Sequence, residues 1–343
     1  MARIGRRSGV ILDPDRRDWS DKGQRPLAWD LWYPADGETG MPEGDLPDDT
    51  PRLFRRYPAV VDAPLAAGEA FPVVLLSHGS GGSAAGLSWI GTRLAAAGYA
   101  VIGANHHGNT SLEPYRAEGF YCWWERSRDL SVLLDYHLRE GPLGGRLDPA
   151  RVSAVGFSLG GHAVVGLLGG ICSVERFVDW AQGSAYLDGP REFPSLVDAV
   201  EAVRATSPVL RASIERQSIS YRDPRIRRAA VLAPAPTIRG FASDTLAGIA
   251  VPLLATAGGA DREAPPGLCA EWLCRQMPEA RFEALGADVG HYVFLNECTD
   301  WGCTVEPEIC VDPPGVVRRA IHQQVGSWLV GHLTQGWCRK GGT

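Results

Sequence analysis

Gly156-Phe157-Ser158-Leu159-Gly160-Gly161 follows the apolar run Val152-Ser153-Ala154-Val155 and opens the helical stretch from Leu159 to about Leu168. A serine between two such elements sits on a sharp strand-to-helix turn, which needs small residues two before and two after it. Gly156 and Gly160 fill those positions. The turn lifts the hydroxyl into a cleft, so Ser158 is the candidate nucleophile of an acyl transfer. A helix-strand alternation around it would complete a parallel sheet.

Working outward, the pattern is there. Pro72 to Ser77 reads as a buried strand, Gly86 to Ala97 as a helix ended by Gly98, and Tyr99 to Ala104 as the next strand. Glu125 to Arg139 carries Leu130, Leu133, Leu134 and Leu138 at helical spacing and stops at Gly141-Pro142. Further buried strands are expected at Ala229 to Ala233, Pro252 to Thr256 and Arg281 to Leu285, with a closing helix from about Gly315 to Leu333. Leu27 to Tyr33 alternates like an antiparallel edge strand. The fold class is therefore α/β, with a mostly parallel central sheet and helices on both faces.

Between Cys172 and Arg225 the strand signal gives way to helical pattern, including Leu196 to Arg204 and Val209 to Arg216. We read 172–225 as a helical cap inserted in a single domain spanning 1–343. It is expected to leave the sheet at its carboxyl end and roof the cleft over Ser158. The stretch from Pro34 to Pro58, rich in Gly, Pro and Asp, reads as a surface loop, and no internal repeat is evident.

A serine hydroxyl needs a base with a pKa near neutrality, itself held by an acid. For a nucleophile on this kind of turn, acid and base follow in that order along the chain. His291, in a loop after the last strand, is the candidate base; His322 and His332 belong to the closing helix as surface or packing residues, and His162 to the packing of the elbow helix. Asp261, ending Leu254 to Ala260, is the preferred acid. Asp244 is its rival, with Asp288 and Glu263 behind.

Oxyanion donors are expected at the backbone N–H of Leu159 and of Ser80, the latter in Ser77-His78-Gly79-Ser80-Gly81-Gly82-Ser83, with Gly79 and Gly81 as neighbouring options. His78 reads as a pin for that loop. His106-His107 ends a strand, and Phe120-Tyr121-Cys122-Trp123-Trp124 either walls a pocket or seats a helix. From these, His107, Trp123 and Trp124 are taken as substrate-binding candidates. Neither a metal nor a cofactor is called for.

Composition narrows the partners. The 343 residues carry a net charge of -6 and a pI near 5.8, which gives no basic surplus for nucleic acid. Apolar runs fall well short of the ~20 residues of a membrane-spanning helix. The basic start, Met1 to Arg7, lacks the apolar core of a secretory signal, so a cytoplasmic location is expected. A small-molecule ester is the expected partner, and a homodimer is left open. Of 8 cysteines, Cys298, Cys303 and Cys310 cluster without zinc-knuckle spacing, as a local disulfide or as thiols.

The chain resembles bacterial dienelactone-hydrolase-like serine esterases of the α/β-hydrolase fold, which are similar to platelet-activating-factor acetylhydrolases. The resemblance runs through Arg25-Pro26-Leu27, Leu31 to Pro34, Leu75 to Gly79, Gly156 to Gly161, Gly290-His291 and Ile309 to Gly315. It implies metal-free ester hydrolysis through Ser158, Asp261 and His291. Competing readings are a serine peptidase or amidase, a phospholipase or lipase, and a binding protein on the same fold. Intact Ser158, His291 and glycine loops argue against the last. A peptidase would bring a propeller domain or a charged pocket for a peptide terminus, and neither is evident.

Overall fold

A computed structural model of the chain describes residues 3–36, 41–42 and 51–335. Of the loop expected from Pro34 to Pro58, residues 37–40 and 43–50 lie outside the described residues. Among the described residues ten strands form one sheet: β1 Arg3–Arg17, β2 Gln24–Ala35, β3 Met41–Pro42, β4 Val60–Val61, β5 Phe71–Ser77, β6 Ala100–Asn105, β7 Leu147–Phe157, β8 Ile226–Leu232, β9 Leu253–Ala257 and β10 Ala280–Ala284. Their order is β10-β9-β8-β7-β5-β6-β2-β1-β4-β3. From β10 to β6 every neighbouring pair is parallel, and β2 runs antiparallel to both β6 and β1. Val73 to Leu76 and Val152 to Val155 are buried throughout, as strands covered by helices on both faces must be.

The helices are α1 Ser88–Ala96, α2 Ala117–Tyr121, α3 Glu125–Arg139, α4 Leu159–Leu168, α5 Val174–Ala181, α6 Leu196–Arg204, α7 Pro208–Glu215, α8 Ser243–Ala247, α9 Ala270–Gln276, α10 Asp300–Val305, α11 Pro307–Cys310 and α12 Arg318–Thr334. From β5 the chain crosses by α1 to β6 on one side, then by α3 to β7 on the other. Right-handed crossovers running in opposite directions place α1 and α3 on opposite faces. α12 packs beside α1, and α4 beside α3. The reversal makes the carboxyl ends of β5 and β7 a topological switch point, where open sheets of this kind leave a crevice.

Two expectations are corrected. β2 is antiparallel as read, but it is not an edge, because β1 pairs along its outer side. The Arg, Asp and Gly content of β1 hid it. Gly5 and Gly9 stand opposite Tyr33 and Trp29, and a Cβ at either would run into those rings. Arg6 and Arg7 in turn lie over the rings of Trp32 and Tyr33.

The segment 172–225 holds α5, α6 and α7 with no strand, but its route differs from the one expected. α4 runs back from the carboxyl end of β7, so the segment leaves from the opposite end of the sheet. The Asp223 N–H returns to Leu167 O at 2.9 Å, closing the excursion where it began. In between, the chain climbs far enough for Phe177 to pack with Leu159, and for Glu192 to lie against Gly81.

Candidate active site

Ser158 follows β7 directly and has φ 53° and ψ −119°, a left-handed conformation that a side chain rarely adopts. Such a residue costs on the order of 1–3 kcal/mol and persists only where its surroundings hold it. They do so through Ser158 N–H to Leu232 O at 2.9 Å, and through Ser158 O, which accepts from Gly161 N at 2.8 Å and Ala235 N at 3.0 Å. A Cβ at Gly156 would strike Gly160 O, and one at Gly160 would strike Ser77 O, so the turn closes only with glycine at both.

The structure brings Ser158, His291 and Asp261 together from three separate loops. His291 Nε2 lies 3.0 Å from Ser158 Oγ, and His291 Nδ1 lies 2.8 Å from Asp261 Oδ2. The carboxylate can only accept, so Nδ1 carries the proton and Nε2 is left to accept from the serine hydroxyl. Asp261 is buried, and its other oxygen accepts from Ala264 N at 2.7 Å. The loops that carry Asp261 and His291 are tied to each other: Gly259 N donates to Gly286 O and Ala260 N to Val289 O, both at 3.0 Å. Below His291, His322 Nε2 donates to Val293 O at 2.8 Å while its ring stacks on Trp89. His322 is thus a buried support of the His291 loop, and His332 is buried on Ala229 O.

Asp244 lies elsewhere, exposed in the first turn of α8, where its carboxylate accepts from Thr245 N at 2.9 Å. Asp288 and Glu263 are exposed. His162 is a packing residue: it stacks on Phe241, meets Trp123 edge-on, and burial pushes its pKa down to about 3.

The glycine loop comes within contact of Ser158, since a Cβ at Gly79 would sit 3.1 Å from Ser158 Cβ. Gly81 N donates to Asn109 Oδ1 at 2.6 Å and Gly82 N to Gly79 O at 3.4 Å, while Tyr115 O–H donates to Gly81 O at 2.7 Å. His78 pins the loop as expected of it, with Nδ1 2.6 Å from Gly79 O.

Of the three substrate-binding candidates, only Trp123 meets the elbow. It forms a small apolar cluster with Leu159, Phe177, Ala181 and Ala235, apart from the main core. Trp124 instead turns into the main core, where its indole N–H donates to Ser213 O at 3.0 Å and Ser213 Oγ at 3.1 Å. His107 is tied to Glu113 Oε1 at 2.7 Å and stacks with Trp19, whose indole N–H donates to His107 O at 2.9 Å. The Trp19 ring that stacks on His107 lies 88 residues before it and the Ser213 that holds Trp124 lies 89 residues after it, which local pattern does not reveal.

Sequence reasoning also missed a buried charge cluster behind the loop. Arg16 pairs with Asp13, Glu125 and Asp129, and Arg25 binds Asp129 through two bonds of 3.0 and 3.1 Å. Asp129 in turn holds His106 Nδ1 at 2.9 Å, and His106 Nε2 accepts from Ser77 Oγ at 2.8 Å. Burial alone would raise the Asp129 pKa, but Arg25, Arg16 and the His106 hydrogen bond hold it well below the usual carboxylate range. The signal available was Asp129 itself, a charge within the apolar stripe of α3.

Residues 54–119 match the family of platelet-activating factor acetylhydrolase, isoform II. No curated protein matches the chain in sequence. Among solved structures, the chain is similar to the ferulic acid esterase from Streptomyces cinnamoneus, at 19% identity, over 97% of this chain and 90% of that one, with a TM-score of 0.61. The chain has the α/β-hydrolase fold. The matched segment of the chain holds β5, the glycine loop and β6, one side of the switch point. Among the described residues, no helix is long and apolar enough to cross a membrane.

Proposed function

We propose that this α/β-hydrolase is a serine carboxylic-ester hydrolase. The carrying observation is the hydrogen-bonded line Ser158–His291–Asp261, with Ser158 held at positive φ at the switch point. In the proposed reaction Ser158 Oγ attacks the ester carbonyl as its proton passes to His291 Nε2. Asp261 stabilises the imidazolium, and the negative oxygen faces the N–H groups of Leu159 and Ser80. Collapse expels the alcohol, protonated by His291. Water, activated by the same nitrogen, then releases the acid from Ser158.

The cluster of Trp123, Phe177, Ala181 and Ala235 beside Leu159 is the proposed acyl pocket. An apolar wall of this small extent beside Ser158 would suit short to medium acyl chains. Each further methylene is worth ~0.8 kcal/mol only while it finds a matching wall. The cap segment reaches over the loop through Glu192 and through Phe193, which packs edge-on against Phe120. The Cys298–Cys310 disulfide, with Cys303 left as a thiol, favours an oxidising compartment over the cytoplasm expected from the start of the chain.

The test is a p-nitrophenyl ester series from acetyl to palmitoyl, with a fluorophosphonate label and Ser158→Ala. Expected are label and turnover in wild type only, and kcat/KM falling beyond roughly eight acyl carbons. Labelling of Ser158→Ala would place the nucleophile elsewhere, and a steady rise to palmitoyl would make a lipase or phospholipase the better reading.

A further inference from the structure

Arg126, in the first turn of α3, is buried and points its guanidinium at the back of the glycine loop. Nη1 donates to His78 O at 2.6 Å, and Nη2 lies 3.4 Å from both Gly79 O and Asn109 O. The same Gly79 oxygen accepts from His78 Nδ1 at 2.6 Å, which requires the proton of the neutral ring to sit on Nδ1. His78 Nε2 is then free to accept, and His106 N–H lies 3.3 Å from it. Two consecutive carbonyls are therefore drawn to one buried side of the loop.

The consequence follows from peptide geometry. Gly79 C=O and Ser80 N–H belong to one trans peptide plane and point in opposite directions. Drawing Gly79 O toward Arg126 and His78 turns Ser80 N–H outward, on the loop that lies against Ser158 Cβ. The next two N–H groups are taken, Gly81 by Asn109 and Gly82 by Gly79 O. A cation on the carbonyl also polarises its peptide, which strengthens the N–H at the other end as a donor.

We propose that Arg126 is a positioning residue of the oxyanion hole, aiming Ser80 N–H at the negative oxygen by holding the carbonyls of His78 and Gly79 from behind. The inference rests on the ester-hydrolase reading. Burial lowers the Arg126 pKa to about 9 while Asp129 pulls it up, so the group is a cation at neutral pH. Burial, together with Arg126 and His106, pushes His78 well below its usual value and keeps it neutral. Both groups thus stay in the protonation state that the geometry needs.

The test compares Arg126→Lys and Arg126→Met with wild type by steady-state kinetics on p-nitrophenyl acetate, and by affinity for an alkyl boronic acid, whose tetrahedral adduct carries the negative oxygen. Loss of one oxyanion donor costs about 10²–10³ in kcat, and a misaimed one somewhat less. Expected are a drop in kcat of roughly 10–100-fold for Met, KM within about threefold, boronate affinity falling in parallel with kcat, and partial recovery in Lys. A role in packing alone would leave kcat per folded molecule and boronate affinity unmoved, and folded variants within twofold of wild type would overturn the proposal. Should neither variant fold, a wild-type boronate complex decides: an adduct oxygen within hydrogen-bond distance of Ser80 N supports the inference, and one bonded elsewhere on the loop sinks it. Full turnover by Ser158→Ala would fail the parent reading instead, and the inference with it.

Discussion

Asp261→Asn probes the proposed acid without changing its shape. In the wild type one carboxylate oxygen accepts from Ala264 N at 2.7 Å and the other faces His291 Nδ1 at 2.8 Å. An asparagine has one oxygen and one NH2 to fill those places. Ala264 N–H is a donor that cannot give way, so the amide oxygen takes that side and the NH2 turns to His291. Nδ1 must then accept, which moves the ring proton to Nε2, where it points at Ser158 Oγ. The base now has no lone pair for the serine proton. A wrong tautomer of this kind costs about 10⁴ in kcat, or about 5.4 kcal/mol at 1.36 kcal/mol per tenfold. The assay is hydrolysis of p-nitrophenyl acetate, with circular dichroism to verify folding and Asp244→Asn as comparison. Asp244→Asn, exposed on α8, should lose less than about tenfold. A folded Asp261→Asn enzyme within tenfold of wild type would refute the reasoning, and a larger loss in Asp244→Asn would move the acid to α8.

Three more outcomes are expected. Ser158→Gly should melt above Ser158→Ala by about 1 kcal/mol, because glycine relaxes the positive φ that alanine keeps; equal melting temperatures would show the turn to be unstrained. Replacing Cys298 and Cys310 by serine should cost about 3 kcal/mol in chemical denaturation, from the 12-residue separation they close, and no loss would mean the bond is absent in the folded protein. Acid should weaken the fold early. Burial holds His106, His137, His322 and His332 down to about 4 and His162 to about 3, whereas the unfolded chain binds those protons near 6.5. The unfolded state therefore carries more protons between about pH 6.5 and 4, and stability falls as pH falls through that window. Thermal midpoints that stay level from pH 7 to 5 would contradict it.

What the sequence disclosed followed from which contacts are local. The parallel strands were legible because burial on both faces leaves unbroken apolar runs such as Val73 to Leu76. Ser158, His291 and Asp261 could be nominated because a strained turn demands glycine at fixed offsets and the partners come in chain order. β1 was hidden because its Gly5 and Gly9 make sense only against the rings of Tyr33 and Trp29. Trp123 and Trp124 are adjacent in sequence, yet one ring meets Leu159 and the other Ser213, and nothing local tells them apart. Nothing local marks out Arg126 at the start of α3, since the carbonyls that hold it inside belong to a loop 47 and 48 residues earlier.

The first strand also sets where the gene can be trimmed. Asp13 and Arg16 near the end of β1 are buried with Glu125 and Asp129, and the Arg16 guanidinium pairs with all three carboxylates. Deleting one partner of a buried ion pair costs about 3–5 kcal/mol, against a whole-domain stability of 5–15 kcal/mol. Asp129 is the anchor of His106, and the backbone of His106 leans on His78 at the root of the glycine loop. An expression clone that began after Arg17, as a tidy reading of the parallel core would suggest, would therefore lose solubility long before anyone could ask whether its serine was active.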